Sequence, residues 1–380
     1  MPLAVEAVSQ SLTSAAQKSE TLPQRFFVSL DIFAQEQAAI FSAQWVCVGH
    51  QSQLREGGDY FVQDVAGESL VVVRDRAETI RAFFNVCRHR GTRLCEERSG
   101  HAAAIQCPYH AWTYSLDGRL TGAPHMDSVP GFDKEEHPLQ SVRTSVWEGF
   151  IFVNLAQDPL PMEETFAPLA GKFTHWNLPQ LRSAARVEYD VRANWKLIFE
   201  NYSECYHCPG VHPMLSKVSP YDSAENDLSD GRFLGGFMLI AKGASLTMSG
   251  NACAIPVGDI PGEDHARVFY YSIFPNLLLS LHPDYVMVHQ IWPQSPDRTL
   301  IQCDWLFHPE AETARETVFR PEDAVEFWDV TNRQDWHVCE LSQQGISSRA
   351  YRPGPYSPRE TIPAAWDREY LRYMPGDQAT

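Results

Sequence analysis

Two short runs hold the first candidates for chemistry: Cys87-Arg88-His89-Arg90-Gly91 and Cys107-Pro108-Tyr109-His110, with seventeen residues between His89 and Cys107. Each run offers one thiolate and one imidazole, in C-x-H and C-x-x-H spacing. Two thiolates on one iron and two imidazoles on the other make the ligand set of a Rieske-type [2Fe–2S] cluster. Loops that hold such ligands must be short and stiff, and Gly91 and Pro108 suit tight turns. A Cys2His2 zinc site uses the same ligand types. Common zinc spacings, however, put Cys with Cys and His with His, whereas here the two alternate within each half, which favours iron and sulfide.

The second constellation lies between Asn194 and His212, in the run Asn194-Trp195-Lys196, Glu200-Asn201, Glu204, His207 and His212. Pro209 and Gly210 predict that a helix over Asn194–Cys208 stops just after His207, with His212 returning from the next turn toward the same metal. Glu204, three residues before His207, then shares its helix face. Two histidines five apart mean little alone, since histidine has many uses. Downstream of a cluster motif they become candidates for a two-His, one-carboxylate triad, which holds Fe(II) and leaves positions open for O₂. Trp195 and Tyr206 read as core, and Tyr202 as approaching the pocket.

The stretch from Trp45-Val46-Cys47-Val48-Gly49-His50 to Trp112-Thr113-Tyr114 resembles the Rieske domain of ring-hydroxylating and demethylating oxygenases. The N-W-K, E-N, acid, His, His pattern is similar to the signature of their α subunits. This resemblance implies a [2Fe–2S] cluster on Cys87, His89, Cys107 and His110, and a mononuclear Fe(II) on His207 and His212. Asn332-Arg333-Gln334-Asp335-Trp336-His337-Val338-Cys339-Glu340 resembles the family's late acidic motif and implies Asp335 as third ligand. The rivals Asp329 and Glu340, six before and five after it, share its helical face poorly. The resemblance also gives Glu204 a catalytic role, joining His207 to His110 of a neighbouring chain, while Asn201, two helical turns back, reads as a second catalytic candidate near the iron that does not ligate it. A carboxylate there fixes imidazole tautomers and couples protonation to electron arrival. Respiratory Rieske proteins carry a disulfide whose places are taken here by Thr92 and Tyr109. Cys95 reads as structural.

Glu204-Cys-Tyr-His-Cys208, Ser245–Gly250 and Gln344–Tyr351 look most like the branch acting on glycine betaine, carnitine and proline betaine. The implied reaction is hydroxylation of an N-methyl carbon, or related C–N cleavage, with O₂ and electrons from a separate NAD(P)H-dependent reductase or ferredoxin. A trimethylammonium group calls for an aromatic cage, with Phe269, Tyr270, Tyr271, Phe274, Tyr285 and Trp292 as candidates that read equally as sheet core. Hydroxylation of an aromatic acid or ring is the alternative. A non-catalytic Rieske electron carrier is the alternative from another class, but it leaves His207, His212 and Asp335 unexplained.

The elements that must position these residues read as an α+β fold. Short runs at Tyr60–Val62, Leu70–Val73, Ile80–Asn85 and Ile151–Asn154, with a turn at Asp117-Gly118, predict a Rieske β domain over about 43–156. It is inserted into a helix-grip catalytic domain, an antiparallel sheet around a long helix, over 157–380, with 1–42 packing on that domain. Residues 1 to about 24 read as a disordered lead-in, Asp31–Trp45 as a short amphipathic helix and Phe166–Trp176 as another. Val268–Phe274, Leu277–Leu281, Tyr285–Trp292 and Thr299–Phe307 predict the sheet, Pro321–Leu341 the gripped helix, and the Pro-rich run Tyr351–Pro363 a wrapping tail.

A chain of 380 residues with net charge −17 has no basic footprint for nucleic acid. No apolar run reaches the ~18 residues of a membrane span, and residues 1–20 have no basic or apolar signal-peptide regions. Nine scattered cysteines then suggest metal ligation rather than disulfides, and a cytoplasmic protein. With no G-x-G-x-x-G run for flavin or nicotinamide, the reductase is a separate protein. Arg88, Arg90, Arg93 and Arg98 form either its docking face or pairs with Glu96, Glu97 and other local acids. The head-to-tail rings that bring one chain's cluster to its neighbour's iron in the family imply a homotrimer. Anaerobically purified protein is expected to hold about three irons per chain with Rieske-type spectra. Cys87→Ser should abolish the spectrum, and His207→Ala should leave it while removing activity. Zinc in place of iron and sulfide defeats this expectation.

Overall fold

The computed structural model describes residues 19–315 and 318–374. The expected disordered lead-in therefore lies outside the described residues up to residue 18. From Ser19 the chain is fixed: Glu20 bridges to Pro355 and the Thr21 N–H donates to the Gly354 carbonyl at 2.9 Å, so the Pro-rich tail wraps the N-terminal segment. No helix among the described residues is long and apolar enough to cross a membrane.

The first half of the chain builds strands β1 (Val46–His50), β2 (Asp59–Val65), β3 (Glu68–Arg74), β4 (Ile80–Phe84), β5 (Ser99–His101), β6 (Ile105–Gln106), β7 (Thr113–Tyr114), β8 (Leu120–Gly122), β9 (Ser141–Trp147) and β10 (Phe150–Asn154). They form one sheet in the order β1-β10-β9-β4-β3-β2-β5 and a small sheet β6-β7-β8. The chain enters and leaves on adjacent strands, β1 and β10, as an inserted domain must. The second half gives β11 (Arg182–Val191), β12 (Glu225–Leu228), β13 (Phe233–Leu239), β14 (Arg267–Ile273), β15 (Leu277–Leu281), β16 (Val286–Ser295) and β17 (Arg298–Phe307). Their antiparallel order is β11-β17-β16-β15-β14-β13-β12.

This second sheet is covered on both faces, and strand alternation decides which side chain meets which layer. Val286 and Val288 of β16 join Phe150, Phe152 and Phe166 on the side of the first sheet. Met287 and Ile291 join the opposite core with Trp195, Phe327 and Trp328. The two sheets are also stitched by buried hydrogen bonds. The Cys47 N–H donates to Asn276 Oδ1 (2.8 Å), while Asn276 Nδ2 (2.8 Å) and Gln290 Nε2 (3.0 Å) donate to the Cys47 carbonyl.

Five helices matter to the site: α1 (Leu30–Glu36), α2 (Trp195–Tyr202), α3 (Cys208–Val211), α4 (Pro321–Ile346) and α5 (Thr361–Tyr373). Helix α4 is the long helix held by the sheet. Pro321 opens it, Glu322 and Asp323 favour its N-terminus, and Ala324, Phe327, Trp328, Thr331, Asn332, Trp336 and Cys339 bury one stripe. It runs one turn past the expected Leu341. Helix α1 passes into a π-helical turn at Gln37–Phe41, short of Trp45. Phe166–Trp176 is not a helix but 3₁₀ turns at Ala167–Leu169 and Thr174–Trp176, because Pro168 lacks an N–H and Gly171 takes φ +73° between them. Helix α5, unexpected from the sequence, contains Pro363 in its first turn, where no N–H is needed.

Helix α2 is anchored by charge. Lys196 and Glu36 are both almost completely buried, with Nζ 2.5 Å from Oε1. The same carboxylate accepts from Trp195 Nε1 (2.9 Å) and the Tyr370 hydroxyl (2.7 Å), so α1, α2 and α5 meet on one carboxylate. Removing one partner strands the other charge in an apolar interior. Lys196→Met should therefore destabilise the protein by about 3–5 kcal/mol in denaturant unfolding, and Glu36→Leu with Lys196→Met should recover most of that loss. A single-variant loss below about 1 kcal/mol would show that the pair is not an anchor.

Candidate functional site

The two cluster-type loops fold alike. In each, the Cys carbonyl accepts the N–H four residues on (Gly91 to Cys87, 3.0 Å; Ala111 to Cys107, 3.1 Å), and the Cys N–H donates to the carbonyl five residues on (Thr92 and Trp112, both 2.8 Å). Closing such a loop needs a left-handed residue, Gly91 at φ +73° in the first and Ala111 at φ +56° in the second. Cys87 and Cys107 are buried, while His89 is exposed and His110 half-buried. The imidazole rings lie edge to face at 4.8 Å, and His89 stacks on Trp112. The Tyr114 hydroxyl is 3.4 Å from Cys87 Sγ and accepts the Arg88 N–H at 3.0 Å. Two buried sulfurs beneath two outward imidazoles fit an asymmetric two-iron cluster, with the imidazole side toward solvent. Cys95 is buried, its thiol pushed up to about 11 by burial, and its carbonyl accepts from Asn85.

Of the four nearby arginines, Arg98 pairs with Glu188 of β11 at 3.3 Å and Arg90 lies over the Tyr109 ring at 5.3 Å. Arg88, Arg90 and Arg93 make no ion pair among the described residues, and Glu96 and Glu97 do not neutralise them.

The second cluster of donors is drawn from distant parts of the chain. Helix α2 ends at Tyr202, earlier than expected, and Glu204 and His207 are not on one helix face. The Glu204 carboxylate takes the N–H groups of Tyr206 and, at 3.3 Å, His207, which competes with helix continuation. Its other oxygen still reaches His207 Nδ1 at 2.7 Å. Pro209 and Gly210 do not stop a helix after His207. They sit inside α3, with Pro209 in its first turn, and His212 follows that helix. Cys205 and Cys208 are joined by a disulfide that brackets His207, contrary to the expectation that the cysteines serve metals rather than disulfides.

His207 Nε2, His212 Nε2 and Asp335 Oδ1 form a small triangle with edges of 3.2, 2.8 and 3.3 Å. Adjacent ligands about 2.1 Å from one ion lie ~3 Å apart, so the triangle fits one face of a metal's coordination sphere. Each imidazole is oriented from behind: His207 Nδ1 by Glu204, and His212 Nδ1 by Gln334 Oε1 at 2.9 Å. That leaves both Nε2 atoms facing Asp335. Burial works against charge on His207, but hydrogen bonds to Asp335 and Glu204 outweigh it and raise its pKa to about 10. Burial likewise opposes ionisation of Asp335, yet the two histidines hold its carboxyl below the usual range. The rival acids are engaged elsewhere. Asp329 accepts from the Tyr189 hydroxyl and pairs with Arg333, and Glu340 accepts the Arg192 N–H.

A cavity of about 300 Å³ opens beside the triangle, between the sheet and α4. Asn201 and Tyr202 line it. Of the six aromatic candidates only Tyr270 does. Phe269 and Tyr271, its neighbours on β14, point to the opposite face by strand alternation, against Trp176 and Phe173. Phe274 stacks on Tyr373, the Tyr285 hydroxyl bonds to Trp328 and Leu246, and Trp292 Nε1 bonds to Gln302. The remaining aromatic lining residues are Tyr206, exposed rather than core, with Tyr221, Phe237, Trp328 and Trp336, of which Tyr206 and Trp336 lie inside quoted motifs but were not marked for the pocket. Gln334 was also missed, although it adjoins Asp335 in the late acidic motif. Arg359, exposed and 5.1 Å over the Tyr221 ring, is the only Lys or Arg among the described lining residues.

Residues 178–376 match the ring hydroxylating alpha subunit (catalytic domain) family, and residues 44–133 match the Rieske [2Fe-2S] domain. The chain is 33% identical over 371 residues to the glycine betaine monooxygenase oxygenase subunit of Chromohalobacter salexigens, covering 90% of this chain and 82% of that one. It is 32% identical over 344 residues to the carnitine monooxygenase oxygenase subunit of Escherichia coli K12, covering 88% and 87%. A solved quaternary ammonium Rieske monooxygenase, described for carnitine oxidation and inter-subunit electron transfer, superposes with TM-score 0.82 at 28% identity, covering 95% and 97%.

The left-handed residues of the two loops yield a test. Gly91→Val places a branched side chain at φ +73° and should cost about 1–2 kcal/mol in thermal or denaturant unfolding, while Ala111→Gly should be neutral or stabilising. Equal destabilisation by both would contradict the shared loop geometry.

Proposed function

From the premise that the chain belongs to the Rieske-type ring-hydroxylating oxygenase α subunits, enzymes carrying a [2Fe–2S] cluster and a catalytic non-haem iron, we propose that it hydroxylates an N-methyl carbon of a quaternary ammonium compound. Product collapse then gives a tertiary amine and formaldehyde. The observation that carries this reading is the cavity beside the His207–His212–Asp335 triangle. Its walls include Phe237, Tyr270, Trp328 and Trp336, and the only Lys or Arg among its described lining residues is the exposed Arg359. Aromatic faces attract a cation that has no hydrogen to donate, and an inner wall without ammonium or guanidinium does not repel it. The relatives named for glycine betaine and carnitine support the same substrate class.

In this reading Cys87, His89, Cys107 and His110 hold the cluster, and His207, His212 and Asp335 hold the mononuclear iron. The cluster supplies single electrons and the mononuclear iron supplies O₂ activation. The chain's own residues do the rest. Glu204 and Gln334 hold the imidazole tautomers, the aromatic walls orient the N-methyl group and exclude water, and Asn201 borders the reacting space. The enzyme is the oxygenase component of a system with a separate electron-transfer partner. The uncompensated Arg88, Arg90 and Arg93 around exposed His89 suit an acidic surface on that partner. We further assign the working assembly as a homotrimer in which Glu204 joins His207 to the neighbour's His110, in line with the inter-subunit transfer described for the solved relative.

Incubation with reductant, reductase, O₂ and a panel of quaternary amines should release formaldehyde and tertiary amine in equal amounts. Ring-hydroxylated products from aromatic acids, with no formaldehyde from any quaternary amine, would overturn the reading. Asp335→Ala should lower mononuclear iron occupancy at least tenfold and leave the cluster spectrum intact, by analogy with the affinity lost when metal-site groups are removed. Retained iron in that variant, with loss in Asp329→Ala or Glu340→Ala, would reassign the ligand.

A further inference from the structure

The inner wall of the cavity holds two polar side chains whose ring nitrogens make no hydrogen bond. His289 of β16 and Trp336 of α4 both line it, 1% and 6% exposed, with rings edge to face at 5.9 Å. None of their three ring nitrogens has a partner in hydrogen-bond geometry. Two polar lining residues bear on His289, Asn332 through its amide and Asp335 through its charge. If Asn332 donates an amide N–H to one imidazole nitrogen, the other carries the proton, and this N–H and the indole N–H then have no protein partner. Tyr202, also beside His289, is satisfied by Ser280 at 2.8 Å. A buried donor left unpaired is costly, so a pair on one cavity wall points to a ligand atom that completes them.

The quaternary nitrogen cannot be that atom, because it neither donates nor accepts. Burial lowers His289 to about 4, so the ring is neutral at ordinary pH and does not repel a cationic ligand. A neutral imidazole offers one N–H and the indole a second, which together match the two oxygens of a carboxylate. We propose that His289 and Trp336 form the oxygen-binding end of the substrate cavity, donating hydrogen bonds to the carboxylate of a zwitterionic quaternary amine. The inference rests on the quaternary amine reading and adds to it the requirement for an acid group. It makes His289 and Trp336 specificity-determining contacts, set between the helix and the sheet so that the carboxylate fixes which methyl group is presented.

The test is equilibrium binding to holoenzyme, with glycine betaine and tetramethylammonium as probes and iron content measured for each variant. His289→Phe should weaken glycine betaine by about ten- to a hundredfold, the usual loss of a hydrogen bond to a charged group. Tetramethylammonium binding should change by less than about twofold. Trp336→Phe should show a smaller selective loss, and His289→Gln, which restores a donor, should recover part of the affinity. Glycine betaine binding within twofold of wild type in His289→Phe and Trp336→Phe would mean that the donors serve only water, and would overturn the inference. Equal losses for both probes would assign a packing role and also overturn it, as would a selective loss in Arg359→Met with none at His289. Wild-type enzyme binding neither probe would overturn the quaternary amine reading itself, and this inference with it.

Discussion

A lysine ammonium and a glutamate carboxylate removed from water can be tolerated only together. The Glu36–Lys196 contact is therefore the constraint from which the site is built. It draws α1, α2 and α5 to one point and fixes the register of α2. The C-terminal end of α2 feeds directly into the Glu204–His212 segment, so the position of both histidines depends on a pair that includes neither of them. Asn194, capping α2 through the Lys196 N–H at 3.1 Å and bonded to Gln343 of α4 through its own N–H at 2.9 Å, ties the same helix to the element that carries Asp335.

The two-faced sheet then separates labour. One face, with Tyr271, Val286 and Val288, is dry and packs toward the cluster-bearing sheet. The other face turns Tyr270, Met287 and His289 toward α4 and makes the cavity. A one-residue slip in β14 or β16 would exchange these sets, taking Tyr270 and His289 out of the cavity. The buried Asn276–Cys47 and Gln290–Cys47 hydrogen bonds hold the sheets together from behind and oppose such a slip.

Much of this organisation was legible in one dimension. Alternating Cys and His in two short loops specified a cluster because ligand chemistry acts over a few residues, and the loop geometry proved local as well, closing on Gly91 and Ala111. The central strands and the gripped helix were legible because burial on known periods leaves a hydrophobic imprint. Asp335 followed from its motif, and the distances place it with the histidines rather than Asp329 or Glu340. The Glu204–His207 contact was anticipated for the wrong reason, since carboxylate capping of a non-helical turn, and not helix periodicity, brings them together.

What the residues alone determined is therefore the donor inventory and the periodicity of the elements that carry it. The tertiary structure decided which donors converge. His212 and Asp335 are 123 residues apart, and no local rule connects them. It also decided the cavity wall. Aromatic residues were plentiful in the sheet sequence, but only the pairing of strands with α4 selected Tyr270 over Phe269 and Tyr271 and added Phe237, Trp328 and Trp336. Burial likewise gave His289 its meaning. In the sequence it is one of 14 histidines, whereas in the fold it is a buried imidazole that makes no hydrogen bond, on the wall of the cavity beside the triangle.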